Sequence, residues 1–218
     1  MQGFEIREKW PRRQTRLGRE YWCFLSESFR SLSVTASLWP SSRMLASALA
    51  RRVDFGRARV VVELGVGTGA VTGLLLQRMR PRSLLYGIDL NPRFIAHVRK
   101  NVRDSRFVPI LGRAEDLGKL LRSVGVHRVD AVVSSLGLTS MEPDQRDSIL
   151  GEIQRHLATD GVMTQYQYLH PGGGPEWLSA VGVRRFAEEE FLRRYFTEVS
   201  TERVVWNLPP AKVYTCRL

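Results

Sequence analysis

Long apolar runs are missing from this sequence. No stretch approaches the roughly 18 consecutive apolar residues that a bilayer-spanning helix needs, so any membrane contact is expected to be peripheral. The opening residues, MQGFEIREKW, contain no apolar core of the signal-peptide kind. Cysteine is scarce too. Cys23 and Cys216 are the only two in 218 residues; they form no metal-ligand spacing and point to reduced thiols in a cytosolic compartment. Histidine is limited to His97, His127, His156 and His170. The first three fall in or beside helical patterns and are expected to be solvated, while His170, just before PGGG, is a candidate base. No metal site is expected, and there is no internal repeat or low-complexity tract.

Acidic residues are in short supply. The chain has 33 Lys and Arg against 22 Asp and Glu, a formal net charge of +11. Residues 1–59 alone hold 12 basic against 5 acidic side chains, so that quarter carries +7. An excess this local suggests a docking face for a polyanion. Nucleic acid and anionic lipid both qualify on charge.

From about residue 59 the chain alternates strand-like and helix-like runs. The strand candidates are 58–64, 83–89, 106–111 and 130–136, then 161–169, 196–207 and 212–218. The first four are short, continuous and rich in β-branched residues, as parallel strands buried on both faces should be. Helical patterns lie between them at 68–80, 92–103, 114–123 and 143–157, with Asn91-Pro92 and Met141-Glu142-Pro143 as start signals. Only LPPA separates the last two strands, so they are expected to pair as an antiparallel hairpin. The predicted fold class is α/β, with a Rossmann-like, seven-stranded, mostly parallel sheet that ends in an antiparallel hairpin. That is the arrangement of the class I methyltransferases. Two further helices are expected upstream, at 12–32 and roughly 42–53. The chain divides into an N-terminal segment, 1–38, and a domain, 39–218.

VVVELGVGTGAVT places Glu63, Gly65, Gly67 and Gly69 where the first strand turns into the first helix. Glycines there let the backbone turn sharply and lie close to a ligand. Asp89 ends the second strand, where a carboxylate can accept both hydroxyls of a ribose. Gly65-x-Gly67-x-x-Ala70 also fits a loose dinucleotide fingerprint, but Glu63 would stand close to the pyrophosphate and repel it. S-adenosylmethionine has no phosphate and carries a cationic amine and a sulfonium, and an acidic residue suits it. After the third strand, Gly112-Arg113-Ala114-Glu115 occupies the position expected to grip adenine. Methyltransferases often have Asp where this chain has Arg113; Glu115 or Asp116 can take that role or be solvated first-turn residues.

Several separated motifs resemble the bacterial phospholipid N-methyltransferases, which use S-adenosylmethionine to methylate phosphatidylethanolamine. WPSSRMLA (39–46) resembles the family's Pro-Ser-Ser-Arg helix, and VVELGVGTGAVT (61–72) its cofactor loop. VVSSLGLTSM (132–141) stands at its Ser-Gly-Leu-Pro strand end, MTQYQY (163–168) at its Gln-Phe-Thr-Tyr strand, and NLPPAKVY (207–214) at its Asn-Leu-Pro-Pro-Ala hairpin. The likeness runs from about residue 25 to 218. Gly137 departs from a common Pro, Arg113 from a common Asp and Gln167 from a Thr. The resemblance implies methyl transfer from S-adenosylmethionine, with S-adenosylhomocysteine as product, to the amine of phosphatidylethanolamine or its methylated derivatives, toward phosphatidylcholine. Related folds methylate adenine in ribosomal RNA with an Asn-Leu-Pro-Tyr motif after the fourth strand. Here that position reads SSLGL, with no aromatic residue to stack a flipped base. A cofactor-binding membrane module without turnover is the third reading.

An acceptor site must tolerate cationic products, which sit well over aromatic faces. Tyr168 matches the family Tyr and is the first candidate for the headgroup, with Tyr166 two residues away on the same strand face. Ser134 and Ser135 end the fourth strand at the expected cofactor crevice. Ser41 and Ser42 suit a helix N-cap beside Arg43, for the cofactor carboxylate or a lipid phosphate. Asn207 is a candidate to orient the acceptor loop.

On a helix from Arg12 to Leu32, Leu17, Tyr21, Trp22, Phe24, Leu25, Phe29 and Leu32 share one face, while Arg12, Arg16, Arg19 and Arg30 gather opposite, with Arg13 nearby. Such a helix either packs on a core with a solvated basic face or lies in a membrane interface. The resemblance implies the second. Single-stranded RNA would prefer aromatics interleaved with the Arg residues. The expected partners are an anionic membrane surface and a phosphatidylethanolamine-type lipid, with no nucleic acid, on the cytoplasmic face of the cell membrane.

Overall fold

The computed structural model describes residues 40–138, 141–168, 188–205 and 211–218. The chain divides after Ala36, and these residues all belong to the unit Ser37–Leu218. The basic segment with Arg12, Arg13, Arg16, Arg19, Trp22, Phe24 and Phe29 lies outside the described residues, as do His170, PGGG, Asn207 and the side chains of Ser41, Ser42 and Tyr168.

Seven strands form one sheet in the order β3-β2-β1-β4-β5-β7-β6. They are β1 (Val60–Leu64), β2 (Leu84–Asp89), β3 (Phe107–Leu111), β4 (Val129–Ser134), β5 (Leu157–Tyr168), β6 (Glu198–Val204) and β7 (Ala211–Arg217). β1 to β5 run parallel, and β7 is antiparallel to both β5 and β6. This is the Rossmann-like arrangement expected, with the hairpin in place. The central strands read as continuous apolar runs because both their faces are covered. Val61, Val62, Leu64, Val132 and Val133 have no solvent exposure.

Helices α1 (Pro40–Arg51), α2 (Ala70–Arg78), α3 (Pro92–Asn101), α4 (Leu117–Ser123), α5 (Pro143–His156) and α6 (Glu188–Leu192) complete the described elements. Leu49 of α1, Leu75 of α2 and Val98 of α3 join Val61, Val133, Val162 and Val213 in one core on the first face of the sheet. Strand alternation sends Leu64, Val132, Met163 and Cys216 to the second face, where Ile149, Leu150 and Ile153 of α5 are buried. Cys216 has no exposed surface, and burial pushes its thiol up to about 12. Asn91 caps α3 by accepting the Arg93 N–H at 2.9 Å, as its position before Pro92 foretells.

Several expectations need correction. α1 opens at Pro40, so Ser41 and Ser42 lie in its first turn, not at the N-cap; Pro is preorganised for the first helical position. The helix expected over 114–123 divides into a 3-10 turn, Ala114–Asp116, and α4. β5 begins at Leu157, four residues before the expected start. Val129 pairs with Leu157 but Ala131 with Val162, leaving Ala158–Gly161 bulged out of the ladder. Gly161 permits that bulge, because a Cβ there would approach the Ala158 carbonyl at 2.8 Å. α6 was not expected at all: its five residues, EEEFL, are too few to show a helical period. His156 is not solvated. Its side chain is 13% exposed and packs over Gly118, where a Cβ would lie 2.4 Å from the imidazole.

Candidate active site

The carboxyl end of β1 leads into a loop in which Gly65, Gly67 and Gly69 have φ of 79°, 55° and 85°. These are left-handed values that side chains with a Cβ rarely adopt. The loop is held from two sides. The Gly65 N–H donates to the Ile88 carbonyl at 2.9 Å, and the Gly67 N–H donates to Asp89 Oδ2 at 2.9 Å. Asp89 Oδ1 accepts the Asn91 N–H at 2.8 Å. Each carboxylate oxygen still has lone-pair capacity beyond the bond it accepts. Burial pushes the Asp89 carboxyl up, and the Gly67 and Asn91 N–H groups oppose that rise.

Glu63 projects from β1 beneath this loop with no solvent exposure. Thr72 of α2 donates its hydroxyl to Glu63 Oε2 at 2.7 Å, while Oε1 is buried without a hydrogen-bond partner. Burial raises its carboxyl to about 8, with Asp89 adding to the rise and Thr72 opposing it. Glu63 is therefore mostly neutral at pH 7 in the free protein, so the repulsion of pyrophosphate expected from the sequence is weaker before a ligand binds. A cation brought to Oε1 would draw the carboxyl down and restore the charge.

Around the rim, Leu90 and Leu111 are 45% and 48% exposed at the ends of β2 and β3, an apolar surface on either side of Asp89. Arg113 does not reach back toward them. Its guanidinium pairs with Glu115, whose Oε1 also accepts from Gln145 of α5 at 2.7 Å. Ala114 is half-buried in the same turn, and Asp116 is exposed.

At the end of β4 the two serines part. Ser134 is in register with Leu64 and Gln165 and so faces α5; its Oγ accepts a long bond, 3.4 Å, from the Leu136 N–H. Ser135 lies against the glycine loop: its N–H donates to the Leu64 carbonyl at 2.8 Å, and its buried Oγ has no hydrogen-bond partner. Both serines were expected at the cofactor crevice; Ser135 lies beside Gly65, whereas Ser134 is turned to the opposite face of the sheet. Tyr166 is half-buried and packs against the first-face core.

Two residues that sequence reasoning missed stand on the second face. Gln165, fully buried, donates both Nε2 hydrogens, to the carbonyls of Leu136 and Tyr166, each at 2.7 Å. Its Oε1 is left without a partner. Its place in the Gln-Phe-Thr-Tyr-like strand was the available signal. Glu188 of α6 is 2% exposed with both carboxylate oxygens unpartnered, and burial raises it to about 8 against the pull of Lys212 and Arg146. No sequence pattern marks it within EEEFL.

The crevice thus offers a carboxylate with spare lone pairs for a diol and an apolar rim for a flat ring, with the Glu63 carboxyl buried beneath its glycine loop. Those features suit S-adenosylmethionine. Residues 61–161 match a methyltransferase domain family. The chain is 30% identical over 200 residues to an ornithine lipid N-methyltransferase of Singulisphaera acidiphila, covering 91% of this chain and 96% of that protein. It is 33% identical over 146 residues to a ribosomal RNA small subunit methyltransferase H of Trichlorobacter lovleyi, covering 62% of this chain and 47% of that protein. Among solved structures, the fold is similar to the Burkholderia thailandensis 1,6-didemethyltoxoflavin-N1-methyltransferase with bound S-adenosylhomocysteine, with a TM-score of 0.63 and 22% identity over 91% of this chain and 89% of that one. With its sheet order, its glycine loop and a relative matched over nearly its whole length, the chain belongs to the class I S-adenosylmethionine-dependent methyltransferases, in the family of the ornithine lipid N-methyltransferase.

Proposed function

We propose that this chain is a lipid N-methyltransferase that methylates the amine of phosphatidylethanolamine or its methylated derivatives, toward phosphatidylcholine. The observation that carries the reading is the near full-length likeness to a lipid N-methyltransferase, against which the ribosomal RNA methyltransferase match spans less than half of its relative. The Pro-Ser-Ser-Arg and Asn-Leu-Pro-Pro-Ala motifs favour the phospholipid amine. The name of the relative favours ornithine lipid as the second substrate to try.

S-adenosylmethionine supplies an electrophilic methyl group. This chain's residues hold and orient its partners, which is most of the catalysis in an in-line displacement. Gly65, Gly67 and Gly69 let the backbone approach, Glu63 takes a cationic group, Asp89 a diol, and Leu90 and Leu111 a flat ring. Ser135 borders the crevice and Ser41 and Ser42 stay candidates for the cofactor carboxylate or a lipid phosphate, whereas Ser134, Arg113 and Glu115 are engaged elsewhere and act at most through the loops they brace. Tyr168 and Asn207 remain the acceptor-side candidates, with Tyr166 more a packing residue.

The enzyme works as a peripheral protein on the inner face of the cell membrane, using Arg12, Arg13, Arg16, Arg19 and the aromatic face with Trp22, Phe24 and Phe29 to meet anionic lipid. No described helix is long and apolar enough to cross a membrane. The test is transfer of labelled methyl to vesicles of phosphatidylethanolamine or ornithine lipid, with and without anionic lipid. Label in the lipid fraction, raised by anionic lipid and lowered by alanine at Arg12, Arg16 and Arg19, is the expected result. Label in neither lipid, from protein that binds the cofactor, would overturn the reading.

A further inference from the structure

The second face of the sheet carries a polar cluster that the cofactor crevice leaves unused. β5 and β7 run antiparallel with Gln165 opposite Tyr214 and Gln167 opposite Lys212, so these four side chains share one face at the carboxyl end of the parallel strands. Tyr214 donates its hydroxyl to Gln167 Oε1 at 3.2 Å. α6 packs on β6, where Glu189 Oε2 accepts from Thr201 at 3.0 Å, and its Phe191 ring takes the Arg146 guanidinium of α5 at 5.3 Å; the charge of Glu188 acts on Lys212 and Tyr214 of this face. Ser134, at the end of β4, is the register neighbour of Gln165 and also of Leu64 on β1, so the cluster begins two strands from the glycine loop.

Within this cluster three buried oxygens have no hydrogen-bond partner: both of Glu188 and Oε1 of Gln165. The orientation of Gln165 is settled, because only its amide nitrogen can serve two carbonyls. Buried polar atoms without partners are rare, and a buried carboxylate lacking both bonds is costly. A set of orphaned acceptors is complementary to a group that only donates. An ammonium nitrogen is such a group.

We propose that Glu188 and Gln165 form the site for the amine of the acceptor, and that Glu188 takes the proton this amine must lose before it can accept a methyl group. The inference rests on the lipid N-methyltransferase reading and names the headgroup end of that same site. The step is a proton transfer alone: the ammonium N–H bond breaks, its electron pair stays on nitrogen, and the proton joins the carboxylate, which becomes a neutral carboxyl. Gln165 Oε1 accepts a remaining N–H and turns the freed lone pair. Burial raises the Glu188 carboxyl, which makes its ionised form a stronger base than an exposed carboxylate. The charged and titratable groups that act on this cluster are Arg146 of α5, Lys212, Tyr214 and Cys216 of β7, Glu189 of α6 and Arg193 just after it. Lys212 and Arg146 are the two cations whose charge opposes the rise at Glu188.

The test uses the full chain and compares the native protein with Glu188→Gln and Gln165→Met. Methyl transfer to phosphatidylethanolamine vesicles is followed across pH at saturating S-adenosylmethionine, and binding of a soluble short-chain phosphatidylethanolamine is titrated in the presence of S-adenosylhomocysteine. E188Q should lose about 100-fold in kcat, lose the rise of rate through pH 8 and keep its affinity for S-adenosylhomocysteine. Q165M should weaken binding of the short-chain lipid about 10-fold. Native protein that labels the lipid, beside an E188Q that labels it equally fast with the same pH profile, would overturn the inference and leave the lipid reading standing. Native protein that labels no amine lipid would overturn both. Should E188Q fail to fold, Q165M with native affinity for the short-chain lipid would overturn the site.

Discussion

Glu63 is a carboxyl that waits for a charge. Burial holds it protonated up to about 8, and one of its oxygens has no partner. A cationic ligand lowers its pKa, so binding of S-adenosylmethionine near pH 7 should expel a proton. Calorimetry in two buffers of different ionisation enthalpy should show close to one proton released at pH 7 and almost none at pH 9. Glu63→Gln should abolish the release and weaken the cofactor by at least 10-fold. Thr72→Val removes the hydroxyl that donates to Glu63 Oε2. It should cost about 1–3 kcal/mol of stability in urea unfolding above pH 8, where the orphaned carboxylate is charged.

At the scale of elements, α5 ties the second face together. Ile149, Leu150 and Ile153 are at most 1% exposed, and Ile153→Ala should destabilise by about 2–5 kcal/mol. α4 crosses α5 at Gly118, whose N–H donates to Glu152 Oε2 at 2.8 Å and whose missing Cβ makes room for His156. Gly118→Ala should therefore cost about 1–3 kcal/mol through overpacking, even though alanine favours helix. Chemical denaturation reads both variants. The same scale explains what the sequence disclosed. β1, β2 and β4 are covered on both faces, so their apolar runs stood out, and the glycines with Glu63 and Asp89 marked the crevice. The start of β5 was hidden because its first residues continue the apolar pattern of α5 and the bulge at Ala158–Gly161 resets the register. Glu188 was hidden because burial of an acidic residue depends on α5 and β7, which are distant in sequence. Tertiary contacts, not local pattern, make it a candidate.

For the whole molecule, Glu63 and Glu188 act alike on folding. Each keeps its proton in the native state up to about 8, against a usual value of 4.5. Between those limits the unfolded chain has released protons that the native chain retains, so their contribution to stability is fully present below pH 4.5 and declines as pH rises toward 8. Thermal unfolding of the free protein should show a Tm that falls from pH 6 to pH 8.5, with a shallower fall in E188Q. The proposed association with anionic vesicles draws on the uneven charge, +7 within residues 1–59, so sedimentation with vesicles should weaken steadily from about 0.05 to about 0.5 M salt. Cys216 gives the molecule a clock of its own. It sits on β7, between β5 and β6, fully enclosed and with its thiol held neutral. In a Cys23→Ser background, an alkylating reagent can reach it only when the hairpin lifts from β5 or the cover of the second face moves away. Its labelling rate therefore times the opening of the structure beside the proposed amine site, and would reveal whether a bound headgroup locks it.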